Sequence, residues 1–198
     1  MRIIGLCGGS GSGKSTVASM LQARGIPSLN ADAIYHELVS ADGPCLAELV
    51  DAFGEQIVRD GALDRRSLAR IVFADGAEPL RARLNEITHR HVLVEARARI
   101  RALAASGARA VVFDAPLLFE SGFDRECDLT VCVVACESVR VARLMERDGL
   151  SAEAATARIR AQISDEELMR KSDVCIHNEG TREELHRQLD RLLERIFP

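Results

Sequence analysis

The residues best equipped for chemistry stand within the first sixteen. Gly8-Gly9-Ser10-Gly11-Ser12-Gly13-Lys14-Ser15-Thr16 has Gly8 and Gly13 with four residues between them, then a lysine and two hydroxyls. This is the spacing G-x-x-x-x-G-K-[ST] of a phosphate-binding loop. Glycine has no Cβ to keep phosphate oxygens from the backbone, so successive N–H groups can turn into one concavity and hold an anion. Lys14 can reach the β- and γ-phosphates of a nucleoside triphosphate, and the Ser15 hydroxyl can ligate Mg²⁺ with Thr16 beside it. Gly11, Ser12 and Gly13 supply the backbone around them. The chain has only two lysines, Lys14 and Lys171, against 24 arginines. Lysine is thus kept where a compact ammonium suits phosphate.

Such a loop works only between a strand and a helix. Arg2–Cys7 is a short apolar run of strand type. Residues 15–24 carry Val17, Ala18, Met20 and Leu21 at helical spacing, and Gly25 stops them. A second short strand over 26–29 leads to Asn30-Ala31-Asp32. This strand–helix–strand order predicts a parallel sheet with right-handed crossovers. Asp32 then sits at the carboxyl edge of a strand, where open α/β sheets bind ligands. It can orient an attacking hydroxyl or take its proton, or simply cap the helix that follows.

Ala110–Asp114 reads as a buried strand ending in a carboxylate. That placement suits an aspartate near nucleotide-bound Mg²⁺, directly or through water, with a turn-forming aspartate before Ala115-Pro116 as the alternative. Leu117, Leu118 and Phe119 follow as an apolar wall for an acceptor or as packing under a helical lobe. A fourth strand, 129–134, precedes a helix with Arg140, Arg143 and Arg147 near one face. Arg158 and Arg160 lie on the next helix, opened by Ser151. Arginines on a closing segment can stabilise a transferring phosphoryl group; alternatively they form a solvated face with Glu146 and Asp148. The fifth strand, 173–176, ends at His177-Asn178, and Thr181-x-x-Glu184 caps the last helix.

From Asp42 to Ser106 the pattern is helical. One helix opens at Pro44, a second is capped by Asp64, a third starts at Pro79 and a longer one covers 91–105. This stretch exceeds a simple crossover and reads as an inserted substrate lobe. His89 and His91 lie in it, at a spacing that puts them on different helix faces and argues against a metal pair.

The chain of 198 residues suits one domain with small inserted lobes. Its net charge of −4 argues against broad nucleic-acid binding. No apolar run is long enough for a membrane span, and the first residues read as a strand rather than a signal peptide. The six cysteines form no C-x-x-C pair. They read as reduced, buried thiols of a cytosolic protein rather than metal ligands.

Taken together, these residues resemble the dephospho-CoA kinase family over nearly the whole chain. The resemblance rests on Ile4–Thr16, Asn30-Ala31-Asp32, Phe53-Gly54, Asp60-Gly61-Ala62-Leu63, Leu84-Asn85, the family-specific Asp114-Ala115-Pro116-Leu117-Leu118-Phe119-Glu120, Arg143, Arg147-Asp148, the 158–162 segment and Ser172–Asn178. It implies transfer of the ATP γ-phosphate to the 3′-hydroxyl of dephospho-CoA, the last step of coenzyme A biosynthesis, with Mg²⁺, in the cytoplasm. It also implies a three-layer α/β P-loop fold: a five-stranded parallel core (1–40, 107–142, 172–198), a helical CoA-binding lobe (41–106) and a lid (143–171). In that scheme Asp32 is the acceptor-side carboxylate and general base. Lys14 and Arg143 contact the transferring phosphate, Arg147 and Asn178 belong to the ATP side with Asn178 near adenine, and His89, Leu117 and Leu118 face the acceptor. Asn30, Arg90, Arg140 and Leu168 depart from the family pattern. Competing readings are another small P-loop kinase of a nucleotide or metabolite, or a nucleotide-binding module without turnover. No N-K-x-D guanine motif occurs.

Overall fold

The computed structural model describes residues 1–40 and 42–197. In chain order its elements are β1 (Arg2–Cys7), α1 (Lys14–Gln22), β2 (Ser28–Asn30), α2 (Ala31–Val39), α3 (Pro44–Phe53), β3 (Val58–Arg59), β4 (Ala62–Leu63), α4 (Arg65–Val72), α5 (Glu78–Ala105), β5 (Ala110–Asp114), β6 (Leu129–Val134), α6 (Glu137–Asp148), α7 (Ala152–Arg160), α8 (Asp165–Lys171), β7 (Val174–His177) and α9 (Arg182–Ile196). The main sheet is parallel and five-stranded, in the order β2-β5-β1-β6-β7. Ile4 pairs with Val112, Leu6 with Asp114 and Cys7 with Cys132. β5 is buried along its whole length and β6 nearly so, as expected of parallel strands covered on both faces. Because β5 and β6 flank β1, the chain leaves β1 where the strand order reverses, the usual place for a ligand crevice.

The chain forms two compact units, Met1–Leu29 with Leu103–Pro198, and Asn30–Ala102. In the larger, Val17 and Leu21 of α1 and Leu185, Leu189 and Leu192 of α9 pack with Ile4, Leu6, Val112 and Val131 of the sheet. Thr181 and Glu184 cap α9 reciprocally. In the smaller, Val39, Leu49, Phe53, Ile57, Leu68, Val72 and Ile87 form a separate core. The stretch 143–171 falls within the larger unit. The limits at 41 and 198 of the expected segments lie outside the described residues.

Several local expectations change. The two helices expected from Pro79 and over 91–105 are one, Glu78–Ala105. No glycine or proline interrupts it after Pro79, and the Thr88 hydroxyl donates back to Leu84 O within it (2.9 Å). Val58–Arg59 and Ala62–Leu63 form an antiparallel hairpin that hydrophobic spacing misses, because its strands have two residues each. Its Asp60-Gly61 turn takes positive φ at both positions (53° and 76°), the geometry that Asp-Gly favours. Asp32 is not the cap of α2. Asn30 is: its Oδ1 accepts from Ala33 N (2.8 Å), and Asp32 stands in the first turn.

Candidate active site

The loop from Gly8 to Gly13 carries β1 into α1. The first N–H groups of a helix have no partner inside it, and no side chain caps them here, since the N-cap is Gly13. The first turn also lacks an acidic residue. Such an N-terminus, with its positive partial charge, is built for an anion. Gly13 has φ 91°, and a Cβ there would collide with Asn178 Nδ2, so only glycine fits.

The loop carbonyls are tied back. Arg140 Nε donates to Ser10 O (2.9 Å). Arg143 Nη1 donates to Gly11 O (3.1 Å) and Ser12 O (3.2 Å), and its Nη2 to Asn178 O (2.8 Å). Asn178 Nδ2 donates to Ser12 O (2.8 Å), and Ser12 N to Gly9 O. With the carbonyls held this way, negative partial charge is compensated at the back of the loop, and N–H groups are left for a ligand. The sequence marked Arg143 and Asn178 as nucleotide contacts. The structure shows that both bind the loop itself, a role that residue spacing does not disclose.

Asp114 ends β5 beside Leu6, with only 4% of its side chain exposed, and Lys14 Nζ forms an ion pair with it. Lys14 is itself largely buried, whereas Ser15 and Thr16 are exposed. Thus Lys14, Ser15, Thr16 and Asp114 come together at one end of the sheet. Mg²⁺ in nucleotide sites keeps several waters and uses one or two protein oxygens besides the phosphates. A serine hydroxyl in an uncapped first turn and a carboxylate next to the loop lysine fit that donor set. Among the described residues no group of three or more His, Cys, Asp or Glu could hold a metal ion.

Arg147 is exposed and grips Asp148 through Nε (2.7 Å) and Nη2 (2.8 Å), and Arg158 Nη1 reaches the same carboxylate (2.8 Å). The Arg147 hydrogen bonds hold the Asp148 carboxyl below the usual range. Arg160 is exposed and pairs with Glu137. Arg140, expected beside Arg143 and Arg147 on one helix face, is instead buried at 4% exposure. Two residues that sequence spacing passed over hold this region: Asp165 accepts from Arg140 Nη1 (2.8 Å), and Gln162 Oε1 accepts from Ser10 N (2.8 Å). Burial pushes the Asp165 carboxyl up, against the pull of Arg140.

The apolar wall expected at 117–119 is divided. Leu117 is 43% exposed, whereas Leu118 is fully buried. A Cβ on Gly5 would lie 2.7 Å from Leu118 Cδ2, so Leu118 fills the space over β1. It belongs to the core because the turn after Asp114 folds it against β1. The cysteines are not uniformly buried either. Cys7, Cys45 and Cys132 are, Cys127 and Cys175 are half-buried, and Cys136 is exposed. Burial pushes the Cys7 thiol up to about 12. In the smaller unit, Asp32 is exposed in the first turn of α2 and His89 is half-buried on α5.

Residues 2–184 match the family model described as dephospho-CoA kinase. The chain belongs to the dephospho-CoA kinase family. The dephospho-CoA kinase of Corynebacterium efficiens is 44% identical over 195 residues, which is 98% of this chain and 96% of that protein. Among solved structures, TT1252 from Thermus thermophilus superposes with a TM-score of 0.81 at 38% identity, covering 100% of this chain and 98% of that one. The dephospho-CoA kinase from Campylobacter jejuni gives 0.71 at 26% identity, covering 99% and 98%. These likenesses run through the loop at Gly8–Thr16 and through both compact units, so membership is a property of the whole chain.

Proposed function

We propose that this chain transfers the γ-phosphoryl group of ATP to the 3′-hydroxyl of dephospho-CoA, giving CoA and ADP, as a cytoplasmic enzyme. The observation that carries the reading is the uncapped start of α1 beside the Lys14–Asp114 pair, in a member of the dephospho-CoA kinase family. The N–H groups of the loop and Lys14 hold the β- and γ-phosphates, with Gly11, Ser12, Gly13, Ser15 and Thr16 around them. Ser15 and Asp114 would hold Mg²⁺, Asp114 through water. The ion would supply charge neutralisation on the phosphates.

Asp32 orients the acceptor hydroxyl and takes its proton. Its exposed place in the first turn of α2 supports that role, since Asn30 already caps the helix and leaves the Asp32 carboxylate for other work. Arg143 adds its charge to the transferring group while holding the loop. Arg147 and Asn178 serve the ATP side, and His89 and Leu117 the acceptor. Leu118, sealed under β1, shapes that side from within. Residues 143–171 act as a lid and the helical segment after Asn30 as the acceptor lobe.

ADP release by the purified chain with Mg·ATP, with and without dephospho-CoA, tests the reading. The expected result is acceptor-dependent release with CoA identified by mass. Slow release indifferent to dephospho-CoA would refute the acceptor assignment, and no ATP binding would refute the nucleotide site.

A further inference from the structure

The two peptide groups that flank Ser10 are held by residues far away in the chain. Ser10 N–H, in the Gly9–Ser10 peptide, donates to Gln162 Oε1 (2.8 Å), between α7 and α8. Ser10 C=O, in the Ser10–Gly11 peptide, accepts from Arg140 Nε (2.9 Å) on α6. Arg140 Nη1 then donates to Asp165 Oδ1 (2.8 Å), in the first turn of α8. Arg140 is 4% exposed, and its Nη2 is buried against Gly9 with no hydrogen-bond partner among the described residues. A buried cation with an unsatisfied N–H is an arrangement that packing alone would not select, because leaving the donor unmade is costly. It is explained if the arginine is needed at Ser10.

We infer that Gln162, Arg140 and Asp165 are positioning residues that latch the two peptides flanking Ser10 and thereby set ATP affinity. The inference rests on the reading of this loop as the ATP phosphate site. With the Gly9–Ser10 peptide held through its N–H and the Ser10–Gly11 peptide through its C=O, neither plane beside Ser10 turns freely, so the following N–H groups of the loop are aimed before the nucleotide arrives. Ordering that would otherwise occur on binding is already done. The latch also joins the loop to the α7–α8 segment. Any change of that segment that frees Gln162 weakens nucleotide binding, and nucleotide binding stabilises the segment in return, since the coupling is reciprocal.

The test uses the full chain carrying Gln162→Ala, Arg140→Lys, both together, Asp165→Ala or Asp165→Asn. ATP affinity is measured directly by calorimetry, with KM for each substrate, the melting temperature and hydrogen exchange of the peptide spanning 8–13. Gln162 is exposed, so Gln162→Ala should shift melting by less than about 2 °C. It should weaken ATP by about 3–10-fold, the range of one net hydrogen bond, and speed exchange in the loop while leaving the KM for dephospho-CoA unchanged. Adding Arg140→Lys should weaken ATP by less than the product of the two single effects, because both act on the adjacent peptides joined at Ser10. Asp165→Asn keeps an oxygen acceptor for Arg140 and should bind ATP more tightly than Asp165→Ala. Unchanged ATP affinity or loop exchange in Gln162→Ala would overturn the latch while leaving the kinase reading intact. Failure of the unaltered chain to bind ATP would overturn both.

Discussion

Replacing Lys14 with alanine separates structure from chemistry at the loop. The side chains of Lys14 and Asp114 are 14% and 4% exposed. They form neither a surface pair, worth at most about 1 kcal/mol, nor a fully dry one. Removing the ammonium strips its cation from a carboxylate almost sealed from water. Breaking such a pair from one side costs about 3–5 kcal/mol. The other groups around Asp114 and the partial exposure of Lys14 put the expected loss near the lower end, about 3 kcal/mol. In a chain of this size each kcal/mol moves the midpoint by about 2–4 °C, so Lys14→Ala should melt about 6–12 °C lower. Adding Asp114→Asn removes the stranded charge and should restore at least half of that loss. Phosphoryl transfer should not return. Losing one preorganised positive donor at a developing charge lowers turnover by about 10²–10³, and the double variant still lacks it. Thermal unfolding with acceptor-dependent ADP release on the same preparations decides the matter. A single variant melting within about 2 °C of the unaltered chain, or a double variant no more stable than the single, would refute the burial argument.

Asp32→Asn should reduce turnover by about 10²–10⁴ while the ATP dissociation constant stays nearly unchanged, because it removes a base and not a nucleotide contact; undiminished turnover excludes Asp32 as the base. Leu118→Ala should cost about 2–5 kcal/mol, read as a lower melting temperature, whereas Leu117→Ala, at an exposed position, should raise the KM for dephospho-CoA with little change in melting. Asp173 accepts from both the hydroxyl and the N–H of Thr130 (2.7 and 2.8 Å), and these bonds hold its carboxyl below its ordinary value of 3.8. A depressed folded-state value contributes stability that is present above the unfolded value and disappears as pH falls through the folded one. Asp173→Asn should therefore flatten the acid limb of stability against pH below about 4, and an unaltered acid limb would show that these bonds do not favour the ionised form.

The sequence is most readable where structure is locally determined. Ala110–Asp114 and Leu129–Val134 have the expected bounds, because short apolar runs between polar turns leave one way to bury both faces. The reciprocal Thr181–Glu184 cap is equally local. Periodicity failed where breakers were few or elements too short. Nothing in the composition of 80–105 ends a helix, so a division there had no physical agent, and two-residue strands carry no period. The cap of α2 stayed open, with Asp32 as one reading, since asparagine and aspartate at positions 30 and 32 are both capable and only backbone geometry chooses. The loop itself was legible from its glycines. Its support was not: Ser10 and Gln162 are 152 residues apart in the chain, and no local pattern encodes that meeting.

The division of labour between lysine and arginine follows from the same geometry. A chain with two lysines and 24 arginines places lysine in the loop and arginines behind it. The backs of the loop peptides present several carbonyls at fixed angles, and a planar fork meets them together: Arg143 binds Gly11, Ser12 and Asn178 through two nitrogens. An ammonium has three donors but no plane, and it cannot span such a set without strain. The front of the loop poses the opposite problem. A phosphoryl group in transfer moves between oxygens, and a compact charge on a flexible stem can follow it where a fork pinned by three carbonyls cannot. Freeing Lys14 from Asp114 would need only rotation of its own stem, whereas freeing Arg143 would loosen the loop. On the proposed reaction, following the phosphate and holding the cradle are different tasks: Lys14 suits the first, while Arg143 adds its charge from a fixed position as it holds the loop.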